Sequence, residues 1–382
     1  DVLGSRGLGD VYKRQIIDNL KGGGAERILI TILQHLDAKK YNVDLFLINR
    51  EGVYLDSVPR NICLYSALGD SNLLINKIKR RILLTFPSLF YIFHIRKLYD
   101  CYIAFREDTA TRILFKAPAT AQRVAWLHTD LIKHTYCKTT NKRRYFRDLP
   151  SLNQIVCVSK ACQKTLINLC PAVKNKSIVL YNPIDISDII QKSNVHINVP
   201  FSRDRINLLA VGRIDKGKNH RFLIECMPLL LNKGNFTLWI LGVGPLQVEL
   251  EKLRDDMGLQ DYVHFLGFKE NPYPLIKSCD VFVLSSLYEG LPTVIIEALI
   301  LERNIVSSPC VGAEEVLCNG EFGYVASLDI NSFSEAICKA SEHSLLISTK
   351  LRHRLSDFDL NQQICKVNTC LLYTSPSPRD PK

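Results

Sequence analysis

The sequence has no apolar run of the ~18–20 residues that a membrane-spanning helix needs. Its nearest approach, ILLTFPSLFYIFHI over 82–95, is shorter and is interrupted by Pro87. It has no CxxC pair and no paired metal-ligand spacing, although it holds 13 cysteines. Many of these lie in apolar runs, such as Cys157 in QIVCVS and Cys279 before DVFVLSS. They read as reduced, buried thiols of a cytosolic protein rather than as a disulfide framework. No recognised motif and no clustered aromatic–basic platform points to nucleic acid. The one DxD, Asp357-Phe-Asp359, falls in the C-terminal tail and not after a buried strand, so no metal is implied. Gly242-Val-Gly244-Pro-Leu-Gln247 opens like a dinucleotide fingerprint. Gln247 stands at its third glycine, and the next strand ends Gly267-Phe268-Lys269 without the expected acid, which argues against that site.

The two ends are read apart from the rest. SRGLGDVYKRQ (5–15) and CLLYTSPSPRD (370–380) can be encoded by one DNA word read in opposite directions. That word resembles a transposase adapter used in library preparation. Residues 1–15 and 370–382 are therefore expected to be non-native, and Ile16-Ile17-Asp18 to be the end of a clipped first strand.

The chain of 382 residues is 47% hydrophobic and 23% charged, which suits a globular protein of two domains. Its formal charge is +11, of which the two end segments contribute +2. The surplus favours anionic partners such as a phosphorylated substrate or an anionic membrane surface. The 82–95 stretch is flanked by Lys77, Lys79, Arg80, Arg81, Arg96 and Lys97. It reads either as a buried helix or helix pair with solvated ends, or as a surface element that docks on anionic lipid.

Short β-branched runs alternate with helical stretches, the pattern of α/β domains with parallel sheets. Strands are expected near 43–48, 100–105, 123–128, 154–159 and 177–182, then near 206–212, 236–242, 263–268, 280–286 and 304–309. Asn182-Pro183 breaks regular structure, and a polar stretch follows it. The expected division is an N-terminal domain over 16–185, a linker over 186–204 and a C-terminal domain over 205–369. Two doubly wound domains would bind ligands in a cleft at the carboxyl ends of their strands.

Four segments carry candidate chemistry. Glu289-Gly290-Leu291-Pro292 follows DVFVLSS directly, with Pro292 expected in the first turn of a helix and Glu297 further along it. From the residues alone the two acids suit either hydroxyl-accepting ligand contacts or a helix cap and a salt bridge. Arg213 and Lys218 lie in a turn that ends one strand and opens a helix, where a diphosphate would need positive charge. A solvated basic turn fits them as well. Gly22-Gly23-Gly24 before RILITILQHL lets backbone N–H groups approach a phosphate or sugar. His128 ends the strand RVAWLH and suits either a ligand contact or a structural role.

Taken together and in this order, GGAER, WLHTD, VGR…KGKN and E-x7-E resemble glycosyltransferase family 4. The resemblance implies a GT-B fold, two Rossmann-like domains facing each other across a cleft. It also implies sugar transfer from a nucleotide-sugar donor, uridine being the commonest base, with retention of configuration. It gives Glu289 the donor sugar and Glu297 the ribose. Arg213 and Lys218 take the diphosphate, with Lys218 preferred to Lys216. Gly23, Gly24, Gly290 and Leu291 line the donor, and His128 an orienting or electrostatic role beside the reacting sugar. No metal and no cofactor beyond the nucleotide sugar is expected. The implied acceptor is a saccharide carried on lipid in capsule, O-antigen or exopolysaccharide synthesis. The enzyme would then be cytoplasmic, peripheral at the inner face of the membrane. A sugar-nucleotide epimerase of the same architecture and a non-catalytic sugar-nucleotide binder are the alternatives.

Overall fold

The structure, a computed structural model, describes residues 11–69, 74–86, 88, 91, 97, 99–107, 109–131, 141–342 and 349–372. The chain divides into two compact units, residues 1–183 with 361–382, and residues 184–360.

The first unit is built on a seven-stranded parallel sheet: β1 (Val11–Ile17), β2 (Tyr41–Asn49), β3 (Cys63–Leu68), β4 (Cys101–Ala104), β5 (Gln122–Leu127), β6 (Gln154–Cys157) and β7 (Ser177–Val179), in the order β3-β2-β1-β4-β5-β6-β7. Its helices are α1 (Gly24–His35), α2 (Leu74–Thr85), α3 (Thr109–Leu114), α4 (Asn141–Asp148) and α5 (Lys160–Leu169). The second unit has α6 (Ile186–Ser193) and a six-stranded sheet of β8 (Ile206–Val211), β9 (Phe236–Leu241), β10 (Val263–Gly267), β11 (Val281–Leu284), β12 (Asn304–Ser307) and β13 (Tyr324–Val325), ordered β10-β9-β8-β11-β12-β13. Its other helices are α7 (His220–Leu231), α8 (Gln247–Asp256), α9 (Tyr273–Ser278), α10 (Thr293–Ile300), α11 (Val311–Val316), α12 (Ile330–Glu342) and α13 (Thr349–Ser356). The last helix, α14 (Leu360–Leu372), returns the chain to the first unit.

The central strands are parallel because helices cover both faces, and their sequences show it: β4, β9 and β11 are buried at every position. In the second unit Phe222, Leu223, Met227 and Leu230 of α7 and Phe333 and Ile337 of α12 pack over Leu208, Leu238, Val281 and Val283. The Phe222 and Phe333 rings meet edge to face at 5.2 Å. Of the described cysteines all are free, and most are buried. Burial pushes the thiols of Cys101, Cys226, Cys279 and Cys310 up to about 12, so they stay protonated.

The structure adds detail to the expected boundaries. Where a linker was anticipated over 186–204, residues 186–193 form α6, packed on α9 and α10. Asp185 caps this helix by accepting from the Asp188 N–H at 2.9 Å. The chain leaves the first unit at Pro183 and returns after Leu360, and the two crossings pair with each other through Ile184 and Asp359.

Residues 11–15, expected to be foreign to the fold, occupy β1 in the middle of the first sheet, paired with β2 and β4. Lys13, Arg14 and Gln15 are thereby buried completely or almost so. Burial lowers the Lys13 pKa to about 8, with its ammonium 4.3 Å from the centre of the Tyr41 ring. The Arg14 guanidinium lies over Phe46, Tyr65 and Tyr99. Gln15 Oε1 has no hydrogen-bond partner. A polar triplet is ill-suited to a central strand covered on both faces. At the other end, residues 370–372 extend the last turn of α14. Residues 1–10 and 373–382 lie outside the described residues, as does most of 87–98.

Candidate active site

In both sheets the strand order reverses direction at one point, between β1 and β4 in the first unit and between β8 and β11 in the second. In open parallel sheets, ligands bind outside the carboxyl ends of the strands at this switch point. The candidate residues cluster at these two places.

In the second unit Lys218 follows β8 and Glu289 follows β11, so they flank the switch point from its two sides. Their side chains join across it: Lys218 Nζ donates to Glu289 Oε1 at 2.5 Å. Ser286 Oγ donates to the same carboxylate oxygen at 2.7 Å. Burial works against the Lys218 ammonium, but the charge and hydrogen bond of Glu289 outweigh it and leave the pKa raised. The cation is fully charged, then, and is already satisfied by a carboxylate.

The Lys218 turn is held from several directions. Asp215 Oδ1 accepts from the backbone N–H of Gly217 at 2.9 Å and of Lys218 at 3.1 Å, an Asx turn. Ser285 Oγ lies 3.0 Å from both the Lys218 and Asn219 carbonyls, to which it donates. The Leu287 N–H donates to Gly217 O at 2.8 Å, tying the β11 loop to the turn. Asn219 takes a left-handed conformation (φ 53°) before α7 begins at His220. The glycines of GVG are used in packing this turn. A Cβ on Gly242 would lie 2.0 Å from Gly212 O, and one on Gly244 would lie 2.2 Å from Ile214 O. Arg213 projects outward, two-thirds exposed, with its Nε 4.0 Å from Asp215.

The E-x7-E segment behaves as anticipated except at its helix start: α10 begins at Thr293, and Pro292 is its N-cap. Leu291 is buried, and Glu297 is 4% exposed, flanked by the buried apolar residues Ile295, Ile296, Ala298 and Leu299. Behind Gly290 lies Gly312 at the start of α11, where a Cβ would fall 2.5 Å from Gly290 O.

In the first unit Gly23 is the N-cap of α1, and Glu26 in the first turn folds back over it. A Cβ on Gly23 would lie 2.2 Å from Glu26 Oε2, whereas Gly24 faces open space. Arg106, just past β4, reaches Glu26 Oε1 at 3.4 Å. His128 directly follows β5, and its backbone N–H donates to Glu107 Oε2 at 2.9 Å. Its ring lies against Phe105 at 4.8 Å, and its Nε2 is buried without a hydrogen-bond partner. Burial first and the nearby Arg106 charge second lower its pKa to about 3, so the imidazole is neutral at neutral pH. His128 can therefore offer or accept a hydrogen bond but contributes no charge of its own.

Lys218 and Glu289 are thus brought into direct contact, with Glu297, Gly290 and Leu291 on the same strand–loop–helix element. Gly23, Gly24 and His128 stand on the other unit. Sequence reasoning missed Asp215, Ser285, Ser286 and Gly312 around the second site, and Arg106 and Glu107 around the first. Polar serines ending the buried run DVFVLSS were the available signal for two of them. Among the described residues no group of three or more His, Cys, Asp or Glu is arranged to hold a metal ion.

Comparison with known proteins agrees with the fold. Residues 22–188 match the model described as Glycosyltransferase Family 4, and residues 205–343 match Glycosyl transferases group 1. The chain is 31% identical, over 82% of its length and 85% of the relative's, to an N-acetylgalactosamine-N,N'-diacetylbacillosaminyl-diphospho-undecaprenol 4-alpha-N-acetylgalactosaminyltransferase of Campylobacter jejuni. The chain belongs to glycosyltransferase family 4. A lipopolysaccharide core biosynthesis glycosyltransferase, LpsE of Rhizobium meliloti, is 30% identical over 39% of this chain and 42% of its own. Among solved structures, HepE of Anabaena in complex with UDP and glucose superposes with a TM-score of 0.73 at 19% identity, covering 94% of this chain and 99% of that one. Sucrose-phosphate synthase of Thermosynechococcus elongatus gives 0.76 at 15% identity, covering 95% and 98%. These likenesses establish the fold as GT-B, with two Rossmann-like α/β domains.

Proposed function

We propose that this glycosyltransferase moves a sugar, with retention of configuration, from a UDP-sugar to a lipid-linked saccharide during assembly of a bacterial surface polysaccharide. The observation that carries the reading is the Lys218–Glu289 pair spanning the switch point of the second sheet. A donor diphosphate there takes Lys218 as its counter-cation, with exposed Arg213 as a second. Glu289, released from the lysine, accepts hydroxyls of the donor sugar, and buried Glu297 accepts from the ribose. In the reaction the acceptor oxygen bonds to the anomeric carbon as the bond to the diphosphate oxygen breaks on the same face. The departing phosphate oxygen takes the acceptor's proton. The protein contributes positioning and stabilisation of the leaving charge, and this scheme calls for no metal.

The lipid-linked acceptor is supported by the name of the Campylobacter relative, which acts on a diphospho-undecaprenol saccharide. The surface-polysaccharide role is supported by LpsE and by a capsular polysaccharide biosynthesis glycosyltransferase, CapH of Staphylococcus aureus. The uridine base is supported by the UDP bound in HepE. Such an acceptor places the enzyme at the inner face of the cytoplasmic membrane, and no described helix is long and apolar enough to cross it. A thermal-shift screen against UDP, GDP and ADP tests the donor site. Stabilisation by UDP that disappears in Glu297→Ala is expected. A folded protein that responds to no nucleotide refutes the assignment.

A further inference from the structure

Ser285 and Ser286 directly follow β11, one of the two strands that flank the switch point of the second sheet, and both are 1% exposed. A buried hydroxyl without a partner is costly, so the direction each one takes is informative. Ser285 donates to the carbonyls of the Lys218 turn, whereas Ser286 donates to Glu289 Oε1. Lys218 Nζ meets the same carboxylate oxygen. The other oxygen, Oε2, has no hydrogen-bond partner among the described residues. A carboxylate can accept at both oxygens, and here two donors converge on one. They differ in how firmly they are held. Lys218 reaches Glu289 with a compact charge on a flexible four-carbon stem, which a diphosphate can draw away. Ser286 reaches it with a short side chain from a backbone that β12 fixes. Ser308 Oγ, directly after β12, donates to Ser286 O at 2.6 Å, and the Ser308 N–H donates to Leu284 O at 2.8 Å. Glu289 lies only three residues beyond Ser286, so no distant element has to stay in place for the contact to persist.

We propose that Ser286 is a positioning residue for the sugar-binding carboxylate. It holds Glu289 Oε1 in place once the donor diphosphate has taken Lys218, and so leaves Oε2 aimed at the hydroxyls of the sugar to be transferred. The inference rests on the donor-site reading and deepens it by assigning a separate task to each carboxylate oxygen. Without the serine hydroxyl, Glu289 parted from Lys218 has no partner left among the described residues, and its side chain turns about its own torsions. Each sugar hydroxyl then meets a carboxylate that must first be ordered, which costs affinity. The competing account is that Ser286 merely fills space behind Glu289. The two accounts differ in what they affect. Lost packing disturbs the whole loop and weakens every ligand of the site alike, whereas a loose Glu289 weakens only ligands that carry the transferable sugar.

The test is isothermal titration of the full chain with UDP and with one UDP-sugar. The sugar is whichever of UDP-glucose, UDP-galactose and their N-acetyl forms the wild type binds most tightly. Ser286→Ala removes the hydroxyl, and Ser286→Cys keeps the volume with only a weak donor. Thermal midpoints verify that the variants fold, and the isosteric cysteine carries the test should the alanine variant not fold. Both variants should bind UDP, which lacks the transferable sugar, within about threefold of the wild type. Both should bind the UDP-sugar about tenfold more weakly, the lower end of the scale for a hydrogen bond to a charged group. In a Glu289→Ala background Ser286→Ala should cause no further loss, since no carboxylate is left to position. Equal weakening toward UDP and the UDP-sugar overturns the proposal in favour of packing, as does a cysteine variant that behaves as the wild type. A further loss in the Glu289→Ala background also overturns it. UDP-sugar binding unchanged in both variants overturns it and leaves the donor site standing. A folded wild type that binds no nucleotide refutes the donor-site reading, and the role of Ser286 with it.

Discussion

Glu289→Gln should uncouple nucleotide binding from sugar transfer. Lys218 Nζ is 2.5 Å from Glu289 Oε1, so the cation proposed to hold the diphosphate is paired with a carboxylate. At that distance and an effective dielectric constant of about 20, the bare Coulomb attraction is about 6–7 kcal/mol. Side-chain exposures of 25% and 15% and the desolvation of both groups reduce what is recovered. A net value of about 1.5–3 kcal/mol is the usual scale for a hydrogen bond to a charged group. Glutamine keeps the shape and the Ser286 contact but leaves Lys218 without its counter-charge and removes an anion that repels the diphosphate. UDP should therefore bind about tenfold to a hundredfold more tightly to the variant, by isothermal titration, at one tenfold step per 1.4 kcal/mol. Transfer should fall at the same time, because the carboxylate that receives the sugar hydroxyls is gone. A Lys218→Ala background should abolish the gain, which closes a double-mutant cycle. Unchanged or weaker UDP binding in Glu289→Gln would refute the idea that this ion pair holds the lysine in reserve.

His220, 3% exposed beside the Lys218 turn, has its pKa lowered to about 4, chiefly by burial and then by the Lys218 charge. The folded protein resists protonating it, so the unfolded chain takes up the proton first as pH falls below about 6.5. Its stability contribution should be complete above that pH and should decline by up to about 1.4 kcal/mol per pH unit between pH 6.5 and 4. Thermal midpoints across this range check it, and His220→Gln should reduce the dependence, leaving the part that His128 contributes. His128, with a pKa of about 3, should put no inflection near pH 6.5 into the pH–rate profile, whereas an inflection lost in His128→Asn would contradict a neutral imidazole. Gln15→Leu should stabilise the first unit by about 1–3 kcal/mol, because a buried carbonyl oxygen without a partner is replaced by an apolar group of similar size. Thermal denaturation should show a rise of about 2–4 °C per kcal/mol, and a fall would show that the polar strand is native to its place.

Most of the fold was legible because parallel strands buried on both faces leave unbroken runs of β-branched and apolar residues. QIVCVS, DVFVLSS and FTLWILG each mark a strand of the structure, at β6, β11 and β9. Two edge strands escaped notice. Cys63–Leu68 is only partly buried and reads as mixed polarity, and Tyr324–Val325 is too short to carry a period. Only the end of β1, at Ile16-Ile17, was legible, since Lys13-Arg14-Gln15 has none of the character of a central strand. Among site residues, Lys218, Glu289 and Glu297 could be found because each lies in or just after a turn punctuated by glycine or proline at a strand's carboxyl end. Their supports could not. Ser286 bonds to Glu289 three residues on, but Ser285 bonds to a turn 66 and 67 residues away, and no local pattern encodes that meeting. Glu107 is fixed as a partner of His128 only once β4 and β5 lie side by side.

We propose that Lys218 and Glu289 at the second switch point bind and activate a sugar-nucleotide donor for transfer. It is tested most directly by incubating the protein with a UDP-sugar and a polyprenyl-diphosphate saccharide and following the product by mass spectrometry and NMR. The expected result is one added sugar, the donor's anomeric configuration retained, release of UDP, and loss of at least about a hundredfold in rate in Lys218→Ala, the scale of removing a charge stabiliser from a leaving group. Consumption of the donor without any change in the acceptor, or full transfer by Lys218→Ala, would contradict it.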